Sequence, residues 1–176
     1  MENLQYPIGK FKEMPFSEKL KEEWLLDIKF LPGLVENAIL NLNEEHFEMP
    51  YREGGWKIKT LVHHIADSHI NAYIRMKKCI TEENPLISTY DEKEWAKLND
   101  VDILPVNISV TLLFALHSRM YHSLAKLPEK TWNRRFTHPD YGEKNLFFLL
   151  GQYAWHGKHH VAHITNWRKK MSLGNF

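Results

Sequence analysis

The chain has 176 residues, with 23 Lys and Arg against 22 Asp and Glu, and its formal net charge is +1. This length predicts one domain over residues 1–176. The balanced charge argues against nucleic acid and membrane partners, so a small-molecule substrate is expected. Cys79 is the only cysteine, which excludes an internal disulfide. Because the sequence shows neither a signal peptide nor an apolar run long enough to span a bilayer, it predicts a cytoplasmic protein.

The N-terminal part of the chain predicts an arm followed by a long helix. Residues 1–16 contain two prolines and a glycine, and they predict an extended arm that is ordered only if it packs on other elements. Apolar residues then recur with helical spacing from Ser17, a candidate cap, to about Leu42. Within this first predicted helix, Pro32 and Gly33 are expected to introduce a kink or a break.

A second predicted helix begins at Trp56 and Lys57 and runs to about Ile80. Residues 85–107 have the least regular pattern in the chain, although 91–98 predict two helical turns on the surface. This stretch therefore predicts an irregular link that carries short surface helices.

The C-terminal half contains two more helical patterns. The third predicted helix runs from Ser109 to about Leu127, and the fourth from Asn145, a candidate cap, to about Met171. A turn-rich link between them could form a short hairpin. Four amphipathic segments with little strand patterning predict an all-α protein, a four-helix bundle with a long crossover.

Histidines are concentrated on the fourth predicted helix. Four of them lie within eight residues and share one helix face: His156, His159, His160 and His163. One buried histidine is most often a hydrogen-bonded core residue, but several stacked imidazoles need partners that a metal ion can supply. The spacing leaves three pairs open as ligands: His156 with His160, His159 with His163, and His160 with His163.

A third ligand is expected from a facing helix, and the second predicted helix offers His63, His64 and His69. His69 lies at the centre of the apolar face, which predicts a core histidine. His64 instead heads a polar stripe with Ser68, Asn71 and Arg75. That stripe is either a solvated face or one wall of a polar cleft.

Three neutral imidazoles with an open fourth position are typical of a catalytic zinc site, because structural sites fill all four positions with protein groups. Zn²⁺ is the expected ion, one per chain, and Ni²⁺ also suits these ligands. Asp67 could orient a ligand or act as a base, and Arg75 could contact an anionic substrate group. The sequence does not assign roles to His117 and His122.

Five motifs resemble the YfiT group of the DinB superfamily. They are Gly54-Gly55-Trp56, Leu61-Val62-His63-His64-Ile65-Ala66-Asp67-Ser68-His69, Tyr90-Asp91-Glu92-Lys93, His138-Pro139 and Trp155-His156-x-x-His159-His160-x-Ala162-His163-Ile164. The resemblance implies a homodimeric, cytoplasmic four-helix bundle with one metal on three histidines. The matching positions are His64, His156 and His160, which leaves His159 and His163 as supporting residues.

The resemblance leaves the reaction open and suggests two classes. The group is commonly labelled as metal-dependent hydrolases, in which the ion activates water and a base such as Asp67 assists. Related proteins are thiol transferases, in which the ion activates a small thiol of the bacillithiol type for attack on an electrophile. A third hypothesis is a metal-binding dimer without catalysis. Gly157 departs from the expected pattern and is expected to loosen the helix beside the ligands.

Overall fold

Eight helices and one hairpin make up the part of the chain that the computed structural model describes, residues 2–174. The helices are α1 (Glu2–Gln5), α2 (Glu18–Ile39), α3 (Glu44–Glu48), α4 (Ile58–Thr81), α5 (Glu92–Trp95), α6 (Asn99–Ile103), α7 (Val106–Leu124) and α8 (Leu146–Lys170). A 3-10 helix (Glu129–Asn133) leads from α7 into an antiparallel hairpin of β1 (Arg135–His138) and β2 (Gly142–Asn145). None of the helices in this part of the chain is long and apolar enough to cross a bilayer.

The four long helices form the predicted bundle, with an arrangement that helical periodicity alone does not reveal. α2 packs against α7 and α8, and α4 packs against the same two helices. Consecutive long helices, α2 with α4 and α7 with α8, therefore lie across the diagonals of the bundle. The link from α4 to α7 carries the short helices α5 and α6, which confirms the predicted crossover with surface helices.

Side-chain caps explain where several helices begin. The Leu20 amide donates to the Ser17 hydroxyl at α2, and the Phe148 amide donates to Asn145 Oδ1 at α8, over 2.8 Å. Both predicted caps are confirmed, since each side chain satisfies an amide of the first helical turn. α7 starts at Val106, earlier than the predicted Ser109, because Pro105 adopts the extended conformation that precedes a helix.

Pro32 does not split the first helix, so the break is not seen, while the alternative of a kink stays a prediction. α2 is one continuous helix, although Pro32 has no amide to donate to the Ile28 carbonyl, one turn before it. Nδ1 of His117 on α7 donates to this carbonyl at 2.5 Å instead. The structure thus assigns His117 a role that the sequence left open: it supplies the hydrogen bond that the proline removes.

The N-terminal arm is ordered because it packs along α8. Its chain is extended apart from the single helical turn α1, which the sequence did not predict, and a tight turn after it in which the Gly9 amide donates to the Tyr6 carbonyl at 2.9 Å. The Trp155 indole donates to the Gly9 carbonyl at 3.1 Å, and the Phe11 ring lies 5.5 Å from that of Phe148. Further along the arm, Glu13 pairs with Lys144 on β2. The arm therefore reaches the same helix that carries the histidine cluster.

Buried histidines separate two apolar clusters inside the bundle. One cluster surrounds Phe147 and Trp132, and the other surrounds Leu61 and Ile164. Along α8 the histidines lie between the residues of these two clusters, and on α4 His69 does so, whereas His63 and His64 lie among residues of the second cluster. The centre of the bundle is thus a layer of imidazole rings, and its nitrogens must find partners within the protein or in a bound ion.

Gly157 allows two helices to pack closely beside this layer of histidines. A Cβ at Gly157 would overlap the side chain of Leu31, which is buried on α2. α8 continues unbroken through the glycine. The residue allows α2 and α8 to approach closely beside His156.

Candidate metal centre

Three histidines from two helices bring their ring nitrogens together. His64 comes from α4, and His156 and His160 come from successive turns of α8. One nitrogen from each lies within 4.8 Å of the others, and the two Nε2 atoms on α8 are 3.1 Å apart. The four-residue spacing places the α8 rings on one face, and the packing of α4 against α8 brings in the third.

The chemistry of these nitrogens fits a divalent transition-metal ion. Burial lowers the pKa of His64 to about 4 and, together with the neighbouring imidazoles, lowers the pKa values of His156 and His160 well below the usual range. The rings are therefore neutral at pH 7 and offer lone pairs. Two nitrogens on one tetrahedral ion, at metal–nitrogen distances of about 2.0–2.1 Å, lie about 3.3 Å apart, close to the spacing of the two Nε2 atoms.

A second group of histidine nitrogens lies further along α8, within the described residues. His159, His160 and His163 also offer nitrogens within 4.8 Å of one another, but all three come from one helix. Nε2 of His163 is already engaged, since it donates to the Gln5 carbonyl at 3.2 Å. Only the first group combines α8 with a ligand from the facing helix, the arrangement that the sequence led us to expect.

Two further histidines contact the proposed ligands through their second ring nitrogens. Nδ1 of His156 lies 3.3 Å from Nε2 of His69, and Nδ1 of His160 lies 3.3 Å from Nδ1 of His163. Such contacts orient a ligand ring and fix which of its nitrogens carries the proton. For both α8 histidines, Nε2 is the nitrogen left to converge with the other.

A cleft gives access to the three histidines. All three line a cavity of about 520 Å³ whose walls include Tyr6 of the arm and Trp56 of the segment before α4. The Trp56 ring packs 4.7 Å from the ring of His64. A second cavity of about 700 Å³ shares His156 and extends towards the β1–β2 hairpin. The site is therefore large enough for a small molecule to approach it from either side.

Arg75 and Asp67, which the sequence named as accessory residues, differ in whether they line the cavities. Arg75 lines the second cavity with His156, and its guanidinium donates to the Tyr153 hydroxyl at 2.6 Å and to the Ser88 carbonyl at 2.7 Å. Asp67 does not line either cavity. Burial, followed by the nearby Asp100, raises the pKa of Asp67 to about 6. Their roles in catalysis stay predictions.

The other histidines named from the sequence have separate environments. Nε2 of His63 contacts the Leu104 carbonyl in the segment before α7, and Nδ1 contacts the Ser109 hydroxyl on α7. His69 is fully buried, as expected of a core residue. His122 is exposed on α7 and bonds to a carbonyl of its own helix. None of these three belongs to either convergent group.

Three polar residues lie beside the ligands: Ser68, which the sequence placed on the polar stripe of His64, and Tyr90 and Glu92, to which the sequence gave no role. The Ser68 hydroxyl lies 3.5 Å from Nε2 of His156, and Tyr90 hydrogen-bonds to Ser68. Burial raises the pKa of Tyr90 to about 12, so its phenol is neutral. Glu92 lines both cavities, unlike Asp67. Ser68 follows His64 by four residues, which is why the sequence could place both on one face of α4, whereas helical spacing does not relate Tyr90 or Glu92 to the ligands.

Comparison with known proteins matches residues 29–164 to the family model of the DinB superfamily. A protein of Oceanobacillus iheyensis is 47% identical over 169 residues, which cover 96% of this chain and 98% of that relative. A protein of Bacillus cereus is 43% identical over 173 residues, covering 98% of this chain and 99% of the relative. Both relatives are provisionally named metal-dependent hydrolases.

A solved structure extends this similarity to the fold. YfiT from Bacillus subtilis is 40% identical and superposes with a TM-score of 0.93, covering 97% of this chain and 98% of YfiT. It is described as a probable metal-dependent hydrolase with an unusual four-helix bundle topology.

Proposed function

The chain belongs to the DinB superfamily, and from this premise we propose that it is a metal-dependent hydrolase whose ion is held by His64, His156 and His160. The observation that carries the proposal is the convergence of three neutral imidazoles, of which His64 and His160 are buried and His156 is partly buried, at the edge of a cleft. The names of the relatives support the same class of activity. Zn²⁺ is the expected ion, and Ni²⁺ is the second choice for this ligand set.

Three protein ligands leave a coordination position for a reactant. Structural zinc sites close all four positions with protein groups, and here the described residues offer three convergent nitrogens beside an open cavity. When bound, the ion supplies Lewis acidity that makes water a usable nucleophile near neutral pH. The protein contributes a fixed set of neutral donors and a partly enclosed volume.

The residues around the ligands have distinct proposed tasks. Ser68 and the neutral phenol of Tyr90 can donate hydrogen bonds to a reactant beside His156. Glu92, which lines both cavities, is proposed as the base. Asp67, the base suggested by the sequence, has a pKa of about 6 but lines neither cavity. Arg75 is proposed to contact an anionic substrate group from the wall of the second cavity.

A thiol transferase is the second candidate function, and one observation favours it. Cys79 is buried among apolar residues, its thiol donates to the Arg134 carbonyl at 3.3 Å, and burial raises its pKa to about 11. The chain therefore has no reactive thiol of its own. A transferase of this kind would take its nucleophile from a small thiol that enters the cleft.

A single set of assays separates these candidates. Zinc-loaded protein is tested against ester and amide substrates without thiol, and against monochlorobimane with a low-molecular-weight thiol. We expect hydrolysis that disappears on chelation and in His64→Ala, while the exposed control His122→Ala keeps it. Metal-dependent conjugation of the thiol without any hydrolysis would replace the hydrolase by the transferase.

A metal-binding dimer without catalysis makes a different prediction. It requires a ligand that closes the fourth position, and chelation would then lower thermal stability while no substrate is turned over. The predicted homodimer itself stays a prediction. Since the three proposed ligands come from one chain, our proposal for the metal centre does not depend on assembly.

A further inference from the structure

A series of hydrogen bonds links the proposed ligand His160 to the N-terminal arm. Nδ1 of His160 lies 3.3 Å from Nδ1 of His163, and Nε2 of His163 lies 3.2 Å from the Gln5 carbonyl oxygen. His160 and His163 are both buried. The series begins at the nitrogen of His160 that points away from the other ligands and ends on the backbone of the arm.

The Gln5 carbonyl, at the end of this series, fixes the direction of each hydrogen bond. A carbonyl oxygen can only accept, so Nε2 of His163 carries a proton and donates it to Gln5. If Nδ1 of His163 also carried a proton, the ring would be a buried cation next to a ligand of a divalent cation, which is electrostatically unfavourable. Nδ1 of His163 therefore accepts, and Nδ1 of His160 donates. Nε2 of His160 is left with a free lone pair, and this atom lies 3.1 Å from Nε2 of His156.

We propose that His163 is a positioning residue that holds His160 with Nε2 ready for the metal, and that the arm completes the metal centre through the Gln5 carbonyl. This inference rests on the proposed function, because it takes His160 to be a ligand. The arm is fixed at other points too, by Trp155 bonding to Gly9 and by Lys144 pairing with Glu13. Folding of the arm onto α8 and the readiness of the ligand are thereby connected.

The neighbouring residues hold the His163 ring in this orientation. The Tyr51 ring packs against it with centroids 4.3 Å apart, and the His159 ring contacts it edge-on at 4.3 Å. Tyr51 belongs to the segment before α4, so three separate segments, namely the arm, the segment before α4 and α8, meet at this residue. A residue that only filled space would not need a polar partner at each end.

A competing interpretation is that His159, His160 and His163 bind a second ion. Nδ1 of His159 is buried without a hydrogen-bond partner among the described residues, which gives this alternative some basis. It would require His160 to bind an ion through each ring nitrogen and so to lose both ring protons. The two interpretations differ in stoichiometry, because ours gives one ion per chain and the other gives two.

The test compares His163→Leu with His163→Gln in the full chain. Leu removes both polar contacts, whereas the Gln amide can accept from His160 and donate to Gln5. Zn²⁺ affinity is measured by competition with a chelator, and Co²⁺-loaded protein gives a visible absorption spectrum that reports coordination geometry. We expect about 10- to 100-fold weaker Zn²⁺ binding and an altered Co²⁺ spectrum in His163→Leu, with substantial recovery of both in His163→Gln. His122→Ala serves as the matched exposed control.

The outcomes separate failure of this inference from failure of the proposed function. If the unmodified protein binds no Zn²⁺, the metal centre itself is wrong. If it binds one ion and His163→Leu binds as tightly, the positioning role is wrong while the metal centre stands. Two ions in the unmodified protein, reduced to one in His163→Leu, would replace our inference by the second site.

A measurement on the unmodified protein covers the case in which His163→Leu does not fold. Imidazole nitrogen NMR of the zinc-loaded chain reports which nitrogen of each ring carries the proton. We expect the proton on Nδ1 of His160 and on Nε2 of His163. The reverse placement on either ring would overturn the inference.

Discussion

Two adjacent groups of buried histidines differ in what their ring nitrogens meet. His69 on α4 and His117 on α7 stack in the core at 4.8 Å between ring centroids, and both are fully buried. Each has one bonded nitrogen and one without a hydrogen-bond partner among the described residues. The cleft group, His64, His156 and His160, instead brings three nitrogens together beside a cavity.

The comparison shows that burial of imidazoles does not by itself make a metal site. Desolvation lowers the pKa in both groups, to about 4 for His64 and for His117. Neutral nitrogens are therefore available in both. The ring nitrogens of the cleft group converge on one point and can be reached from a cavity. A bound ion requires both of these features, whereas a hydrogen bond in the core requires neither.

Removing one ligand from the cleft group should have the largest effect. We expect His160→Ala to reduce bound metal from one equivalent per chain towards none, because two imidazoles hold a divalent ion far more weakly than three. His156→Ala should behave in the same way. Elemental analysis after gel filtration measures the effect. Full occupancy in either variant would remove that residue from the ligand set.

Replacing the core histidine His69 should affect the free energy of unfolding more than metal binding. His69→Ala leaves a cavity in a fully buried layer and is expected to lower the free energy of unfolding by about 2–4 kcal/mol. Metal content under saturating conditions should stay near that of the unmodified protein. Urea unfolding and elemental analysis of the same sample compare the two effects. Loss of metal without loss of stability would place His69 among the ligands.

The link between His117 and Pro32 can be tested by a double-mutant cycle. His117→Leu leaves the Ile28 carbonyl without its hydrogen bond and should lower the free energy of unfolding by about 1–3 kcal/mol beyond packing effects. In a Pro32→Ala background the restored amide of residue 32 can donate to that carbonyl, so the same substitution should cost less. Urea unfolding of the four proteins gives the coupling energy. Additive costs would show that His117 does not compensate for the proline.

The smallest expected effect is the change that His117→Leu makes in the slope of the unfolding free energy against pH in the metal-free protein. Because burial lowers the pKa of His117 to about 4, the unfolded chain, with a histidine pKa near 6.5, takes up a proton that the folded chain does not. The free energy of unfolding should fall as the pH drops from about 6.5 towards 4, by up to about 1.4 kcal/mol per pH unit for one such residue. Asp67, with its raised pKa, acts in the opposite direction. Urea unfolding across this range should give a shallower slope in His117→Leu.

Helical periodicity was enough to predict the four long helices, their caps at Ser17 and Asn145, and the bundle. It did not predict the diagonal placement, because an amphipathic pattern shows which face is buried but not which helix covers it. The role of His117 also could not be predicted from the sequence. It depends on a hydrogen bond missing at Pro32 on another helix, and only the folded structure brings the two together.

The site was predicted in part. The spacing on α8 limited the ligands to three pairs, and the family resemblance chose among them. His64 could have lain on a solvated face, and it is buried because Trp56, from the segment before α4, packs on its ring. Helical periodicity does not show that the segment before α4 folds back over this face. The contact between His163 and the arm was missed for the same reason, since it joins the two ends of the chain.

The central claim is that His64 completes the metal site with the two histidines of α8, and elemental analysis tests it most directly. The unmodified protein, His64→Ala and the exposed control His122→Ala are purified under identical conditions and their bound metals are quantified. We expect one divalent ion per chain, most of it zinc, in the unmodified protein and the control, and almost none in His64→Ala. Full occupancy in His64→Ala would contradict the three-histidine site.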